Sequence, residues 1–490
     1  MRVLFATSEV SPVAKTGGLG DVCGSLPKAL RALGHDVVIF MPYHRQARQW
    51  FLKNGIEPEH VATTPMTWAN WTSDLTLLRT TLPDTDIPLY LAANDYFFDR
   101  EQIYSIRPDG FDDLVERFAW FCRAVIRGCE LIEFAAEIVH AHDWHTALLP
   151  VYLDSGLRAS PSFRDARSVY TIHNLNYQGV APREKFDFLG LHSRYWAPDA
   201  VEHFGDVNLM KGGILLADQV TTVSPNYGRE TRTPAGGAGL DGVLRHVGER
   251  YSGILNGIDL DEWNPATDEH LPANFEPGKL HGKTICKRML TKELGLKYKP
   301  KTPLIGIVSR LVEQKGFQLV LPVLSSIVRA GAQMIVLGSG DAQYEEMLQE
   351  AAAAHRDTLR VIIGFDEALA HRIYAASDLL LMPSMWEPCG LNQMYASHYG
   401  TLPIVRLTGG LVDTVIPFDG TNRADATGFG FGPPNPTDLY LATWIAMLNF
   451  KDARLWKTLQ ANGMDIDFSW ERSAKQYDEV YRRAQTSSRA

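Results

Sequence analysis

Short apolar runs, each broken off by glycine or a polar cluster and followed by residues at helical spacing, recur along this 490-residue chain in two separate sets. Strands so uniformly apolar must be covered on both faces, and strands joined through helices run parallel, so the pattern specifies doubly wound α/β sheets. The first set is Val3–Thr7, Val37–Phe40, Ile87–Leu91, Glu137–Ala141, Ser168–Ile172, Gln219–Val223 and Gly253–Leu255, with helical patterns such as Leu114, Phe118, Phe121, Val125 and Cys129, or Met210 to Ala217, between them. The second set is Ile305–Val308, Gln333–Leu337, Leu359–Ile363, Leu379–Met382 and Leu402–Val405. A chain this long exceeds one core, and two domains are expected. The polar, proline-bearing stretch 259–302, with its basic segment Lys279 to Lys301, reads as the connection between them, and Trp470 to Arg483 reads as a final helix.

A net charge of -9 argues against a general nucleic-acid surface, so any phosphate site must be a local island of positive charge. Five scattered cysteines (Cys23, Cys122, Cys129, Cys286, Cys389) form no C-x-x-C pair, which favours a reducing compartment over a disulfide scaffold or structural zinc. The chain enters a strand at Arg2 and contains no apolar run of membrane-spanning length, so a cytosolic protein without a membrane partner is expected.

Chemistry concentrates where strands end, the edge at which open α/β sheets bind ligands. Arg310 and Lys315 follow the strand ending at Val308 and flank a loop that enters a helix at Gly316, a pairing suited to a diphosphate. After the first strand comes Lys15-Thr-Gly17-Gly18-Leu-Gly20-Asp21, in which backbone amides, a helix N-terminus and a lysine favour an anion. Asp21 is read as the helix N-cap and Gly34 as its stop. The glycines do not spell G-x-G-x-x-G, and no acidic residue follows Phe40, so dehydrogenase-type dinucleotide binding loses support. His140, His142 and His145 have metal-ligand chemistry, but the first two need only share one strand face; the D-x-D triplets at Asp84, Asp259 and Asp465 read as turns or caps. No metal and no cofactor are expected. Glycine recurs at strand ends in the second half, as close backbone approach to a ligand would require.

Six stretches taken together, Lys15 to Val22, His140 to His145, His173 to Gly179, Ser309 to Gly316, Glu387 to Leu391 and Thr408 to Leu411, resemble the bacterial glycogen synthases and plant starch synthases in order and spacing over nearly the whole chain. Those are retaining glucosyltransferases that use ADP-glucose. The resemblance implies a GT-B architecture, with two Rossmann-like doubly wound parallel-sheet domains facing across a deep cleft. Residues 1–260 would serve the glucan acceptor, 261–469 the nucleotide sugar, and 470–490 would form a helix crossing back to the first domain. The partners would be ADP-glucose and an α-1,4-glucan primer, in the cytoplasm or, for a mature plant protein, the plastid stroma.

The same resemblance assigns roles. Arg310, Lys315, Lys15 and amides of the Gly409–Gly410 loop would hold the diphosphate, and Glu387, His173, Asp143 and Asn256 would face the glucose. Gly18, Asp21, Gly340, Cys389, Gly390, Leu391 and Thr408 would complete the donor site, with Phe365 stacked on adenine; Tyr96 and Trp144 would stack on acceptor glucose. The Cys389 thiol is read as packing rather than as a catalytic nucleophile, since no base is evident beside it. A second glutamate common in the family eight positions after the first is Tyr395 here, so ribose binding by a carboxylate is unsupported at that place. The alternatives are another retaining GT-B enzyme, using UDP-glucose or making a disaccharide, and a non-catalytic two-lobed sugar-binding protein.

Overall fold

The computed structural model describes residues 1–107, 110 and 112–487, which divide into two compact units, Met1–Gly257 with Trp470–Ala490 and Ile258–Ser469. In the first unit the strands are β1 (Arg2–Ala6), β2 (Asp36–Pro42), β3 (Glu59–Trp68), β4 (Trp71–Thr81), β5 (Pro88–Ala93), β6 (Ile138–His142), β7 (Arg167–Ile172), β8 (Val180–Pro182), β9 (Glu202–His203), β10 (Asp206–Asn208), β11 (Gln219–Thr222) and β12 (Tyr251–Gly253). Among the described residues they form a main sheet ordered β12-β11-β7-β6-β1-β2-β5-β4-β3 and a small one ordered β8-β10-β9. From β12 to β5 every pairing in the main sheet is parallel. The central strands are apolar because both faces are covered; β6 is buried at all its positions.

The β3–β4 hairpin, antiparallel at the sheet's edge, alternates buried Leu75 and Leu77 with exposed Asp74 and half-buried Thr76. It does not follow the apolar-run rule and was not among the expected strands. Pro65 is tolerated because β3 lies at the edge, where a missing ladder N–H does no harm.

The helix after β1 spans Gly18–Ala32 with Gly17 at its cap, so Asp21 sits within the first turn and not at the N-cap. A negative charge there still complements the helix dipole. Gly34 adopts a φ of 86°, as a left-handed stop requires. The last helix, Trp470–Thr486, buries Trp470, Ala474, Tyr477, Tyr481 and Ala484, a four-three repeat that puts one face into the apolar cluster of Val3, Phe5, Val22 and Leu26. Residues 488–490 of the expected terminal segment lie outside the described residues.

The second unit holds β13 (Leu304–Val308), β14 (Gln333–Gly338), β15 (Leu359–Ile363), β16 (Leu379–Met382), β17 (Leu402–Arg406) and β18 (Phe429–Phe431), ordered β15-β14-β13-β16-β17-β18 and parallel throughout. The stretch read as a connection is instead part of this unit. It contains the helix His281–Glu293, whose Lys283 and Lys287 are buried. The Lys283 ammonium donates to the carbonyls of Tyr374, Ala375 and Tyr399 and to Thr401 Oγ1, so a charge that reads as solvated joins helix C-termini within the core.

In each sheet the strand order reverses at one place, between β1 and β6 and between β13 and β16. The loops leaving those strands cannot cover one another, and the crevice they leave is where a doubly wound sheet takes its ligand.

Candidate active site

In the second unit the loops after β13 and β16 meet at the reversal point. The Lys315 Nζ lies 2.6 Å from Glu387 Oε2, and Ser384 Oγ donates to the same oxygen at 2.9 Å. Glu387 is 6% exposed, so this carboxylate is fixed by two donors in a nearly dry position. Arg310 stands at the exposed end of the loop, its guanidinium 3.4 Å from Gln314 Oε1. Leu311 leans the other way, donating its N–H to the Ser339 carbonyl at 2.9 Å and accepting from the Asp341 N–H at 2.8 Å, which brings Gly340 beside it. Phe365, just past β15, is 80% exposed.

Two glycines make this arrangement possible. Gly316 adopts a φ of 80°, and a Cβ there would fall 2.1 Å from the Pro383 carbonyl oxygen. Gly409, at a φ of 49°, would carry a Cβ 1.9 Å from the Glu387 carbonyl oxygen. These glycines are thus required for backbone to pack on backbone, in place of the close approach to a ligand expected from their positions. The same packing engages several amides of the Gly409–Gly410 loop. The Gly410 N–H donates to the Glu387 carbonyl at 3.0 Å, and those of Thr408, Leu411 and Val412 donate to Arg406, Thr408 and Gly409, so these amides are committed inside the protein. The loop buttresses Glu387 from behind. Gln393 Nε2 donates to the carbonyls of Cys389 and Gly390 and to Thr414 Oγ1, and Asn392 Nδ2 reaches the Val308 carbonyl at 2.6 Å. Cys389 is a buried free thiol inside this packing, and Leu391, half-buried, precedes the helix Asn392–His398.

In the first unit the loop after β1 is folded around Glu9, a residue to which the sequence assigned nothing. Glu9 Oε2 accepts from the N–H groups of Thr16 at 2.5 Å and Gly17 at 3.3 Å, and Oε1 accepts from Thr16 Oγ1 at 2.8 Å and from the Tyr104 hydroxyl. Two of the loop's amides, those of Thr16 and Gly17, are therefore taken by a carboxylate of the protein itself, and burial raises the pKa of that carboxyl. Lys15 and Asp21 pair at 2.9 Å, and Gly18 is exposed at the start of the helix.

Past β6, Asp143 adopts a φ of 55°, unusual for a residue with a side chain. Its Oδ1 accepts from the N–H groups of His173 at 2.7 Å and Asn174 at 3.2 Å, and burial pushes its pKa up to about 7. Beside it the imidazoles of His140, His142 and His145 are held neutral by burial, well below the usual histidine range, and His173 is lowered to about 3. His140 bonds the Tyr481 hydroxyl and Thr171 Oγ1, and His142 Nδ1 lies 2.9 Å from His173 Nε2. The described residues contain no group of three His, Cys, Asp or Glu arranged to hold a metal ion. Asn256, 5% exposed after β12, keeps its Oδ1 without a hydrogen-bond partner.

The two expected acceptor aromatics diverge. Tyr96 is 56% exposed, and its hydroxyl accepts from Arg107 Nη1. Trp144 is only 7% exposed, with its ring against Phe118 and His145 and its edge beside Gly179, so it is a packing residue with no face for a sugar.

Residues 2–246 match the family described as the starch synthase catalytic domain, and residues 295–446 match the glycosyl transferases group 1. The glycogen synthase of Anaeromyxobacter dehalogenans is 44% identical over 487 residues, covering 98% of this chain and 99% of that protein. Glycogen synthase 2 of Geobacter sulfurreducens is 41% identical over 491 residues, the full length of both. Among solved structures, the catalytic domain of starch synthase IV from Arabidopsis thaliana, bound to ADP and acarbose, superposes with a TM-score of 0.90 at 35% identity over 99% of each chain. A sucrose-phosphate synthase from Thermosynechococcus elongatus, 17% identical with a TM-score of 0.61, shares the fold. With its two doubly wound parallel-sheet units of the GT-B kind, the chain belongs to the glycogen and starch synthase family of glycosyltransferases.

Proposed function

We propose that this glycosyltransferase moves glucose from ADP-glucose to the non-reducing end of an α-1,4-glucan, with retention at the anomeric carbon. The observation that carries the reading is the Lys315–Glu387 contact at the reversal point of the second sheet. Relatives named glycogen synthase and a neighbour bound to ADP and acarbose support the donor and acceptor classes.

Cleaving the glucosyl–diphosphate bond develops positive charge on the sugar and negative charge on the departing ADP, so donors aimed at the diphosphate lower the barrier. An ammonium has three N–H donors, so Lys315 can keep Glu387 and still reach phosphate oxygens; Arg310 adds a planar fork at the open end of the loop. In the first unit Lys15, on a loop that Glu9 holds in shape, offers a further cation to phosphate. Glu387, with Oε2 tied by Lys315 and Ser384, offers Oε1 to sugar hydroxyls. Phe365 presents a ring to adenine. His173, Asp143 and Asn256 face the glucose, and Tyr96 serves the acceptor. The displacement runs on one face of the sugar through an ion pair, the leaving phosphate oxygen helping to take the acceptor hydroxyl's proton. A glucosyl ester trapped on Asp143 or Glu387 would overturn that course.

The test mixes the protein with glycogen and either ADP-glucose or UDP-glucose. ADP release with lengthening of the glucan chains is expected from the first and little turnover from the second. Equal or faster use of UDP-glucose, or nucleotide release without lengthening, would sink the reading.

A further inference from the structure

The contact between His142 Nδ1 and His173 Nε2, at 2.9 Å, joins two neutral imidazoles, so one nitrogen must donate and the other accept. Which way it runs is decided at the far side of each ring. His142 Nε2 is buried and without a hydrogen-bond partner, and the ring lies between Phe5, with centroids 4.1 Å apart, and His140, also at 4.1 Å. If His142 accepted at Nδ1, its own proton would sit on Nε2, an N–H stranded among rings. If His142 donates from Nδ1, what remains at Nε2 is a bare lone pair, and an orphaned buried N–H is the rarer defect. His140 shows the contrast, with both of its nitrogens engaged.

We infer that His142 is a positioning residue: it donates to His173 Nε2 and so locks His173 into the tautomer that carries its proton on Nδ1. The inference rests on the reading of His173 as a sugar-binding residue for its consequence in catalysis, though not for the tautomer itself. His173 keeps 8% of its surface, and no described residue bonds its Nδ1, so that is the nitrogen left for a ligand. It meets a hydroxyl of the transferred glucose as a donor only. The backbone is fixed at the same time, because the His173 N–H is held by Asp143 Oδ1 at 2.7 Å. His173 is thus aimed and set in its proton position before substrate arrives, and it plays no part as a base.

The test labels histidine isotopically and reads the His173 tautomer by long-range nitrogen–proton NMR, with His173→Gln for assignment. The proton is expected on Nδ1 in the parent. In His142→Asp, whose carboxylate oxygen near the Nδ1 position can only accept, a proton should appear on Nε2, and kcat/KM for the donor should fall roughly tenfold, the worth of one hydrogen bond. His142→Asn, whose amide can donate from near the Nδ1 position, should keep the parent tautomer and most of the activity. A parent proton on Nε2, an unchanged tautomer in His142→Asp, or a loss in His142→Asn as large as in His142→Asp would each overturn the inference. Should His142→Asp fail to fold, the parent spectrum and the His142→Asn variant still decide it. Deoxyglucose donors separate the two readings: the His142→Asp penalty should vanish for the donor that lacks the hydroxyl in question. If it persists for all of them while the parent proton is on Nδ1, the tautomer lock stands and the sugar-binding role of His173 falls.

Discussion

Removing the Lys315 ammonium takes a donor from the departing diphosphate and, at the same time, leaves the Glu387 carboxylate with only Ser384 Oγ at Oε2. Lys315→Ala should lower kcat by about 10²- to 10³-fold, as loss of one charge-stabilising donor does elsewhere, and Arg310→Ala and Lys15→Ala should follow in the same direction. If ADP release by all three stayed within about threefold of the parent, the diphosphate site proposed here would be wrong. Asp143 makes a different kind of prediction. Its folded pKa of about 7 lies above that of an unfolded aspartate, so the native state holds the extra proton. Its contribution to stability is complete below about pH 4 and is lost as pH rises to about 7. Asp143→Asn retains an oxygen for the His173 and Asn174 amides, and it should therefore melt higher than the parent at pH 8. The gap, at most about 4 kcal/mol, should shrink on going to pH 5, where both forms are neutral in the native state. A gap in melting temperature that does not depend on pH would count against a buried, protonated carboxyl.

The loop that supports Glu387 can be tested without touching any group that meets substrate. Gly409→Ala puts a Cβ within 1.9 Å of the Glu387 carbonyl oxygen at a φ of 49°, so the Glu387 backbone must shift. A displacement of about 1 Å near a reacting centre costs on the order of 10²-fold in rate, and turnover should fall by that much while circular dichroism stays native. Parallel strands such as β1, β2, β6 and β13 were legible in the sequence because burial on both faces leaves an unbroken apolar run. β3 and β4 were not, since threonines and Pro65 interrupt a pattern buried on one face alone, and β8, β9, β10 and β18 are too short for any period to register. The helix His281–Glu293 was hidden by lysines that the fold buries and pairs with carbonyl oxygens, where charge in a sequence reads as solvent. The motifs marked which loops matter, but which loop presses on which depends on strand order. Glu9 beneath Lys15, and the Gly409 loop behind Glu387, follow from that order and from no local spacing.

A protein of net charge -9 that takes an anionic diphosphate must rely on a few cations against an unfavourable background. Salt screens exposed charges within about 10 Å at 0.1 M, so raising KCl from 0.05 to 0.5 M should increase the KM for ADP-glucose several-fold through Arg310 and Lys315. The KM for the uncharged glucan should hardly move, and a parallel rise in both would point to a general loss of structure. The path of the chain carries a further consequence. The first unit is begun by β1 and finished by the helix Trp470–Thr486, whose Tyr481 bonds His140 in the middle of the sheet, and the entire second unit is spelled out between them. During synthesis, at about 5–20 residues per second, the sheet, with all its strands already made, must wait roughly ten to forty seconds for that helix, the apolar face it covers left open. The second unit, made later, can therefore be complete before the first, whose apolar face stays uncovered until that helix is made.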